Sequence, residues 1–285
     1  MKRPDELAYD RSSMGTLLEI TSIFEGLASM RIAQIKNKVM DAQLFFNELW
    51  AIYTQLRVDS MFRFGRNEGV HNVIDKELLI IITAEGGFSG DIDQKLISLM
   101  LKTHDTEKQD IIVIGHHGAV QLAQNGIKFK KYFKLPEKDQ NINSAPIIEE
   151  VQKYRTTTVY YQTYVSLMVQ DVKHISLSTA VQQSGRNVKQ STDTISEENY
   201  IFEPTTFAVI DHLERSMLKI AVSQLILESK LAQYASRFRA MSTAHNRADD
   251  MYSDLTLSYN RSVRAVKDER LKEVVNGLRK SGVLT

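Results

Sequence analysis

The residues best suited to chemistry lie in a glycine-rich stretch in the first half of the chain. Residues 86–90 read GGFSG and stand between a short apolar run and a helix pattern. Dinucleotide-binding folds hold a pyrophosphate at this position. The stretch lacks both the G-x-G-x-x-G spacing and the lysine and serine of a Walker loop. We therefore predict a tight turn between a strand and a helix rather than a nucleotide site.

Two pairs of polar neighbours could in principle hold a metal or transfer a proton. His116 and His117 are adjacent, so their side chains point apart, and no i, i+4 partner or acidic cluster accompanies them. Asp249 and Asp250 would diverge by roughly 100° on a helix, which favours two solvated charges over an acid–base pair. We predict that the histidines are turn residues, and we predict no catalytic residue, no cofactor and no metal site.

The composition excludes several classes of protein. The chain has 285 residues, and 42% of them are hydrophobic, which is enough for a core. Its 36 basic and 35 acidic residues give a net charge of +1, so no global field attracts nucleic acid. The absence of cysteine excludes disulfides and thiolate metal sites. The longest apolar run, at residues 78–82, is too short to span a membrane, and the polar start resembles no signal peptide, so we predict a cytoplasmic protein.

A long helix in the last third of the chain must organise the other elements. No Pro or Gly occurs between Thr205 and Asn276, and residues 213–266 would form a rod roughly 80 Å long. The pattern advances in alternating steps of four and three residues, the 3.5-residue period of a coiled-coil seam. We expect the polar seam residue His245 to face a partner and fix the register. The apolar seam positions are Leu213, Met217, Ile220, Leu227, Leu231, Tyr234, Phe238, Met241, Ala248, Tyr252, Leu255, Tyr259 and Val266.

A second seam with the same period occupies the N-terminal part of the chain. Ser12 and Ser13 are plausible caps for its helix. Three consecutive steps of four around residues 24–32 predict a stutter, which relaxes supercoiling, and Gly26 within it predicts either tight packing or a bend. The seam positions are Leu17, Ile20, Phe24, Ala28, Ile32, Ile35, Val39, Ala42, Phe46, Leu49, Tyr53 and Leu56.

The two seams can bury each other if their helices lie side by side. Because about half of the chain separates them, antiparallel pairing within one molecule is the simplest geometry. A parallel homodimer would bury the same seams. We favour pairing within one chain, and the sequence leaves the homodimer open.

The middle of the chain predicts an open parallel sheet. Residues 77–83 (ELLIIIT) and 111–114 predict buried strands, each followed by a glycine turn and a helix, as in βαβ units. Further along, the pattern predicts a helix at 147–154 and two strands, at 159–169 and 172–177, that meet at Gln170 and Asp171. Loops are predicted at 57–75 and 184–199, and Pro204 is predicted in the first turn of the last helix.

These patterns together predict an α/β protein. Its architecture would be a long antiparallel coiled coil of the N- and C-terminal helices plus a central open-sheet, Rossmann-like α/β domain. The predicted boundaries are 1–60 for the N-terminal helix, 70–200 for the α/β domain and 204–285 for the C-terminal helix.

Specific residues of the last helix resemble a known family. The run RFRAM at 237–241, Tyr259-Asn260-Arg261 and the run EVVNG at 273–277 are similar to the C-terminal signature of the gamma subunit of F-type ATP synthases. Ile20-Thr21 with Leu27-Ala28, Thr83 before the glycine turn, and the run YIFEP at 200–204 resemble further elements of that family. The order and spacing of these elements cover nearly the whole chain.

The resemblance implies a non-catalytic rotor subunit of a proton- or sodium-translocating ATP synthase or ATPase. Its implied partners are a ring of alpha and beta subunits, an epsilon- or delta-type stalk subunit and the membrane c-ring, at the cytoplasmic face of a bacterial cell membrane. The residues implied in the coiled coil or in contacts with the ring are Ile20, Thr21, Phe24, Leu27, Arg237, Met241, Tyr259, Asn260, Arg264, Asp268 and Arg270.

The chain departs from the family pattern at several places. Phe24 stands where the family has methionine, and residues 263–270 replace the family's R-Q-A-x-I-T-x-E. We therefore predict a divergent member in which Arg264, Asp268 and Arg270 make their own ion pairs with the ring. The alternative function is a homodimeric coiled-coil adaptor whose α/β domain senses a nucleotide at residues 85–90.

Overall fold

Two long helices flank a series of shorter helices and strands. The computed structural model describes residues 3–56, 73–135, 142–185 and 201–280. The elements are α1 (Pro4–Gln55), β1 (Ile74–Ile82), α2 (Ile92–Leu101), β2 (Gln109–Ile114), α3 (His116–Gln124), β3 (Lys131–Phe133), α4 (Ala145–Val151), β4 (Tyr154–Tyr164), β5 (Gln170–Ser176), α5 (Leu177–Gly185) and α6 (Thr206–Lys280).

The strands form a single mixed sheet in the order β3-β2-β1-β4-β5. β1 lies at its centre and pairs in parallel with β2 and β4, whereas β5 pairs antiparallel with β4. A central parallel strand is covered on both faces, which explains its continuous apolar run. The prediction of an open, largely parallel sheet is confirmed.

Alternate residues of β1 point to opposite faces of the sheet, as in any strand. Leu79 and Ile81 pack with residues of α2 and α3, whereas Leu78, Ile80 and Ile82 pack with residues of α1, α4, α5 and α6. Each of these fully buried aliphatic side chains stabilises the fold by about 1.5–3 kcal/mol. One face of the sheet thus carries the two crossover helices, and the other carries α4, α5 and one segment each of α1 and α6.

The chain divides into two compact units. The larger comprises Ala28–Arg237, and the smaller comprises Met1–Leu27 together with Phe238–Thr285. Each unit contains a segment of α1 and a segment of α6.

Within the larger unit, α1 and α6 run antiparallel. Ile35 clusters with Leu227 and Leu231. Further along α1, Gln43 accepts a hydrogen bond from Gln224. Still further, the Tyr53 hydroxyl donates to Glu214 Oε1 at 3.0 Å. The partner's number falls as the position on α1 rises, as antiparallel helices require.

Within the smaller unit, the two helices are also antiparallel. Thr21 Oγ1 lies 3.2 Å from His245 Nδ1, and a Cβ at Gly15 would lie 3.6 Å from Tyr252. The Arg11 guanidinium lies 4.6 Å from the centre of the Tyr259 ring. The predictions of pairing within one chain and of a partner-facing His245 are confirmed.

The predicted stutter in α1 is wrong. Leu17 and Ile20 are 47% and 43% exposed, whereas Thr21 is only 8% exposed. The less exposed face follows an unbroken alternation of four and three through Leu7, Arg11, Met14, Leu18, Thr21, Glu25 and Ala28. Thr21 can occupy the seam because its hydroxyl donates to the Leu17 carbonyl at 2.8 Å and also meets His245. Hydrophobicity alone assigned the seam to the wrong face.

Both long helices also begin at residues other than those predicted. α1 begins at Pro4 instead of Ser12 or Ser13, since proline suits a first helical turn and Asp5 and Glu6 interact favourably with the positive end of the helix dipole. α6 begins at Thr206, two residues after the proline predicted at its first turn. The Ala208 N–H donates to Thr205 Oγ1 at 3.2 Å, a side-chain cap.

The remaining corrections concern short elements. The predicted helix at 147–154 is α4, which ends at Val151, and the predicted strand at 159–169 is β4, which begins at Tyr154 and ends at Tyr164. The turn between β4 and β5 therefore lies at residues 165–169, before Gln170. No sequence pattern indicated β3, which has three residues, or α5, which is rich in Ser and Gln.

Some predictions fall on residues that the structure does not describe. These are most of the loop at 57–75 and residues 186–199 of the loop predicted at 184–199. Residues 184 and 185 of that loop belong to α5.

We predict that Gly26→Ala stabilises the protein. Gly26 lies in the interior of α1 at an exposed position, and a Cβ there would meet none of the described residues within 4 Å, so these residues leave no tight packing at Gly26. Alanine should raise the free energy of unfolding by about 1 kcal/mol through its higher helix propensity. Urea denaturation followed by circular dichroism measures this change.

Gly115→Ala is the matched control, because that glycine has a conformational role. Gly115 has φ 98°, and a Cβ there would lie 2.1 Å from the Thr83 carbonyl oxygen. The control should therefore destabilise the protein. Reduced stability of Gly26→Ala would instead indicate that α1 must bend at Gly26.

Candidate functional site

The glycine-rich stretch after β1 is a loop bound to α6. Arg237 donates from Nε to the Gly87 carbonyl at 3.1 Å and from Nη2 to the Gly86 carbonyl at 3.2 Å. The buried Ser236 hydroxyl donates to the Ser89 carbonyl at 2.7 Å. The loop thus offers carbonyl oxygens to α6, whereas a phosphate-binding loop directs N–H groups at its ligand. The prediction of a tight βα turn is confirmed, and its partner is the last helix.

A buried carboxylate occupies the start of α2. Asp93 is 2% exposed, and both of its oxygens lie 3.3 Å from the Ala84 backbone nitrogen, which donates to them. Gln162 Nε2 on β4 donates to Asp93 at 2.7 Å. A negative charge fixed there would repel a phosphate from the same helix end. This arrangement disfavours a phosphate held at the N-terminus of α2, where the alternative of a nucleotide sensor at residues 85–90 would bind it.

The Asp93 carboxylate belongs to a buried polar network that reaches α6. Gln162 Oε1 accepts from Gln233 Nε2 at 3.2 Å and from the Ser229 hydroxyl. Gln233 also donates to Ser229 Oγ at 3.0 Å. Buried polar groups that satisfy one another specify a single arrangement of their elements. The network therefore fixes α6 against β4 and α2.

His116 and His117 are the first residues of α3, so their prediction as turn residues is wrong. His117 Nδ1 lies 3.2 Å from Asp93 Oδ2. The hydrogen bond to Asp93 raises the pKa of His117 above its ordinary value of 6.5, although partial burial opposes the shift. The adjacent His116 contributes its backbone N–H, which donates to Glu85 at 3.1 Å.

In the smaller unit, the residues that the family resemblance implies in the coiled coil or in ring contacts fall into two groups. Thr21, Phe24, Met241 and Tyr259 are buried or half-buried, and Thr21 and Tyr259 contact the opposite helix directly. The second group is exposed and consists of Ile20, Leu27, Asn260, Arg264, Asp268 and Arg270. The structure therefore does not gather the predicted residues into one cluster. It separates residues that hold the helix pair together from residues that face outward.

Sequence reasoning missed Asp93, Gln162, Ser229 and Gln233. A polar glutamine within the strand YRTTTVYYQTY was the available signal, because an amide at a buried strand position requires partners. Within residues 3–56, 73–135, 142–185 and 201–280 no group of three or more metal-ligating side chains occurs. The helices described there include none with the length and hydropathy of a membrane span.

Comparison with known proteins identifies the family. The model of a family described as ATP synthase matches residues 7–279. The chain belongs to the ATP synthase family. Among its relatives, the ATP synthase gamma chain of Enterococcus faecalis is 29% identical, with 91% of this chain and 92% of the relative covered. The ATP synthase gamma chain of Mycoplasmoides gallisepticum is 23% identical, with 98% and 100% covered.

Solved structures of ATP synthases share the fold. A chain of the Euglena gracilis mitochondrial ATP synthase assembly of OSCP, F1 and c-ring matches with a TM-score of 0.57 at 12% identity, covering 91% of this chain and 95% of that one. A chain of the Tetrahymena thermophila central stalk and c-ring matches with a TM-score of 0.56 at 16% identity, covering 79% and 99%. The resemblance to the ATP synthase gamma subunit is confirmed, and with it the prediction of a non-catalytic subunit.

We predict that the contact between His117 and Asp93 makes the stability of this ATP synthase family member depend on pH. The folded pKa of His117 is raised, so its stabilisation is fully present below 6.5 and is lost as pH rises through the folded value. His117→Gln should lower the free energy of unfolding by about 0.5–1 kcal/mol at acidic pH and by less at alkaline pH. Denaturation midpoints measured between about pH 5.5 and about pH 8.5 test this.

His116→Gln is the matched control, since the His116 side chain is exposed. It should follow the pH dependence of the wild-type chain. Equal pH dependence of the wild-type chain and His117→Gln would contradict the prediction.

Proposed function

We propose that this chain is the central-stalk rotor subunit of a proton- or sodium-translocating ATP synthase or ATPase. In this role it couples rotation of a membrane ring to conformational change in the catalytic sites of surrounding alpha and beta subunits. The family match carries the proposal, because it spans residues 7–279 and so includes both long helices and the sheet.

The outer surface of the smaller unit supports a surrounding partner. Its inner seam is closed by α1 and α6 themselves, yet α1 leaves Leu17, Ile20, Ile23 and Leu27 between 43% and 61% exposed. These residues recur at steps of three and four, so they form a stripe along the helix. Contiguous exposed apolar surface marks a protein interface. Alpha and beta subunits packed around this helix pair would cover the stripe.

The polar contacts proposed for the same interface lie near the end of α6. Arg264, Asp268 and Arg270 are exposed, as are Lys267 and Glu269 between them. Each ion pair formed at such a surface contributes about 0–1 kcal/mol. The apolar stripe would therefore provide most of the affinity, and the charges would orient the partner.

The further partners we propose are an epsilon- or delta-type stalk subunit and the c-ring, at the cytoplasmic face of a bacterial cell membrane. The matched Tetrahymena chain comes from a structure of a central stalk with its c-ring, which supports the second partner. The α/β domain proposed at residues 70–200 would provide the surface toward these partners, and the helices at 1–60 and 204–285 would extend into the catalytic ring.

Reconstitution tests the proposal. The full-length chain is mixed with the alpha and beta subunits encoded in the same genome, and assembly and ATP hydrolysis are measured. The wild-type chain should form a complex with ATPase activity. Ile20→Asp combined with Leu27→Asp should weaken assembly by about tenfold or more, because each substitution places a charge where the partner would cover an apolar side chain.

Met40→Asp is the matched control, because Met40 is 60% exposed on the same helix but lies in the larger unit. It should assemble as the wild-type chain does. Failure of the wild-type chain to associate with alpha and beta subunits would overturn the proposed function, and normal assembly of the double variant would overturn the assigned interface.

A further inference from the structure

A cavity of about 300 Å³ lies in the larger unit beside the glycine-rich loop. Glu85 and Gly86 follow β1, and Leu135 follows β3, so the cavity lies near the carboxyl ends of parallel strands. Open α/β sheets bind ligands at this edge. α6 supplies the other lining residues, which are Lys230, Gln233, Tyr234 and Arg237. The rotor role proposed above makes no use of this cavity.

The arginine in the wall is held in a defined orientation. Two of its nitrogens donate to the carbonyls of Gly86 and Gly87, and its guanidinium lies 5.2 Å from the centre of the Tyr234 ring. Carbonyl oxygens are neutral, so these contacts orient the guanidinium of Arg237 without neutralising its charge. A pre-oriented guanidinium is the group best suited to bind a phosphate with two parallel hydrogen bonds.

The other cation of the cavity is buried. Lys230 is 5% exposed and precedes Arg237 by seven residues on α6, so both side chains lie on one face of the helix. Gln233, also 5% exposed, lies between them and is fixed by its hydrogen bonds to Gln162 and Ser229. The wall contributed by α6 is therefore ordered by contacts within the protein.

The carboxylate of the cavity is already engaged by neutral donors. Glu85 accepts from the Tyr132 hydroxyl at 2.9 Å, from the His116 N–H at 3.1 Å and from the Leu135 N–H at 3.3 Å. These bonds satisfy Glu85 on the side of β2 and β3. Among the described residues that line the cavity, the charged ones are the two cations Arg237 and Lys230 and the single anion Glu85.

We propose that this cavity binds a small ligand through a phosphate group, with Arg237 and Lys230 as the charged contacts. Its volume is at the lower end of the range of small-molecule sites, which favours a compact anion over an extended cofactor. Two sources share this chemistry: inorganic phosphate, and the phosphates of a nucleotide that remains partly outside the cavity.

Calorimetric titration of the full-length chain tests the proposal, with inorganic phosphate, ADP and adenosine as separate ligands. Phosphate or ADP should bind, and adenosine should not. Arg237→Gln should raise the dissociation constant by about tenfold or more, since it removes a charge-assisted contact. Lys95→Met is the matched control, because Lys95 is an exposed cation on α2 that pairs with Asp91 outside the cavity.

Lys230→Met is the second variant, because it removes a cation while leaving the loop contacts of Arg237 in place. Lys230→Met should also weaken binding of the phosphate group. If Arg237→Gln does not fold, Lys230→Met alone tests whether the cavity is the binding site. Binding of ADP without phosphate would assign the site to a nucleotide, and binding of phosphate itself would assign it to the inorganic anion. Absence of binding by both, or unchanged binding in the two cavity variants, would overturn the proposal. Neither result bears on the proposed rotor role, which the reconstitution experiment tests separately.

Discussion

The structure depends on the contact between the two long helices. A helix of 75 residues gains little stability from hydrogen bonding alone, because most helix stability in proteins comes from packing of an apolar face. The seam of steps of four and three residues provides that face. Three polar pairs lie along it: Thr21 with His245, Gln43 with Gln224, and Tyr53 with Glu214. A shift of one heptad would separate the members of each pair, so the pairs specify the register while the apolar residues provide the affinity.

The width of the buried face of α6 reflects how many elements pack on it. In the larger unit, neighbouring pairs such as Met217-Leu218 and Leu225-Ile226 are both buried, since that segment packs in the same core as the sheet and α1. In the smaller unit the buried positions are single residues, Met241, Ala248 and Ser262, each at a seam step. Its buried face is thus as narrow as a two-helix seam requires. One uninterrupted helix therefore carries two types of packing.

The sequence predicted the parts of this fold that repeat or that form continuous runs. The 3.5-residue period identified both helices and their pairing, and the apolar runs identified β1 and β2. The apolar periodicity could not predict that Thr21 replaces Ile20 in the seam, because that choice depends on a partner, His245, which is 224 residues away. The role of Asp93 could not be predicted for the same reason, since it requires Gln162 on the distant strand β4. Local patterns give periodicity, whereas contacts between distant segments decide which polar residues are buried.

The contacts between the glycine-rich loop and α6 acquire a physical meaning in the proposed rotor role. A helix that transmits torque must be fixed to the domain that receives it, and apolar packing alone resists rotation weakly because one apolar contact can replace another. Directional hydrogen bonds resist it, since each has a preferred angle. Ser236 and Arg237 bind the loop after β1, and Ser229 and Gln233 bind Gln162 on β4. These four residues span two turns of α6 and bind two different elements, so turning of the helix about its axis against the sheet would break bonds to the loop and to β4 together.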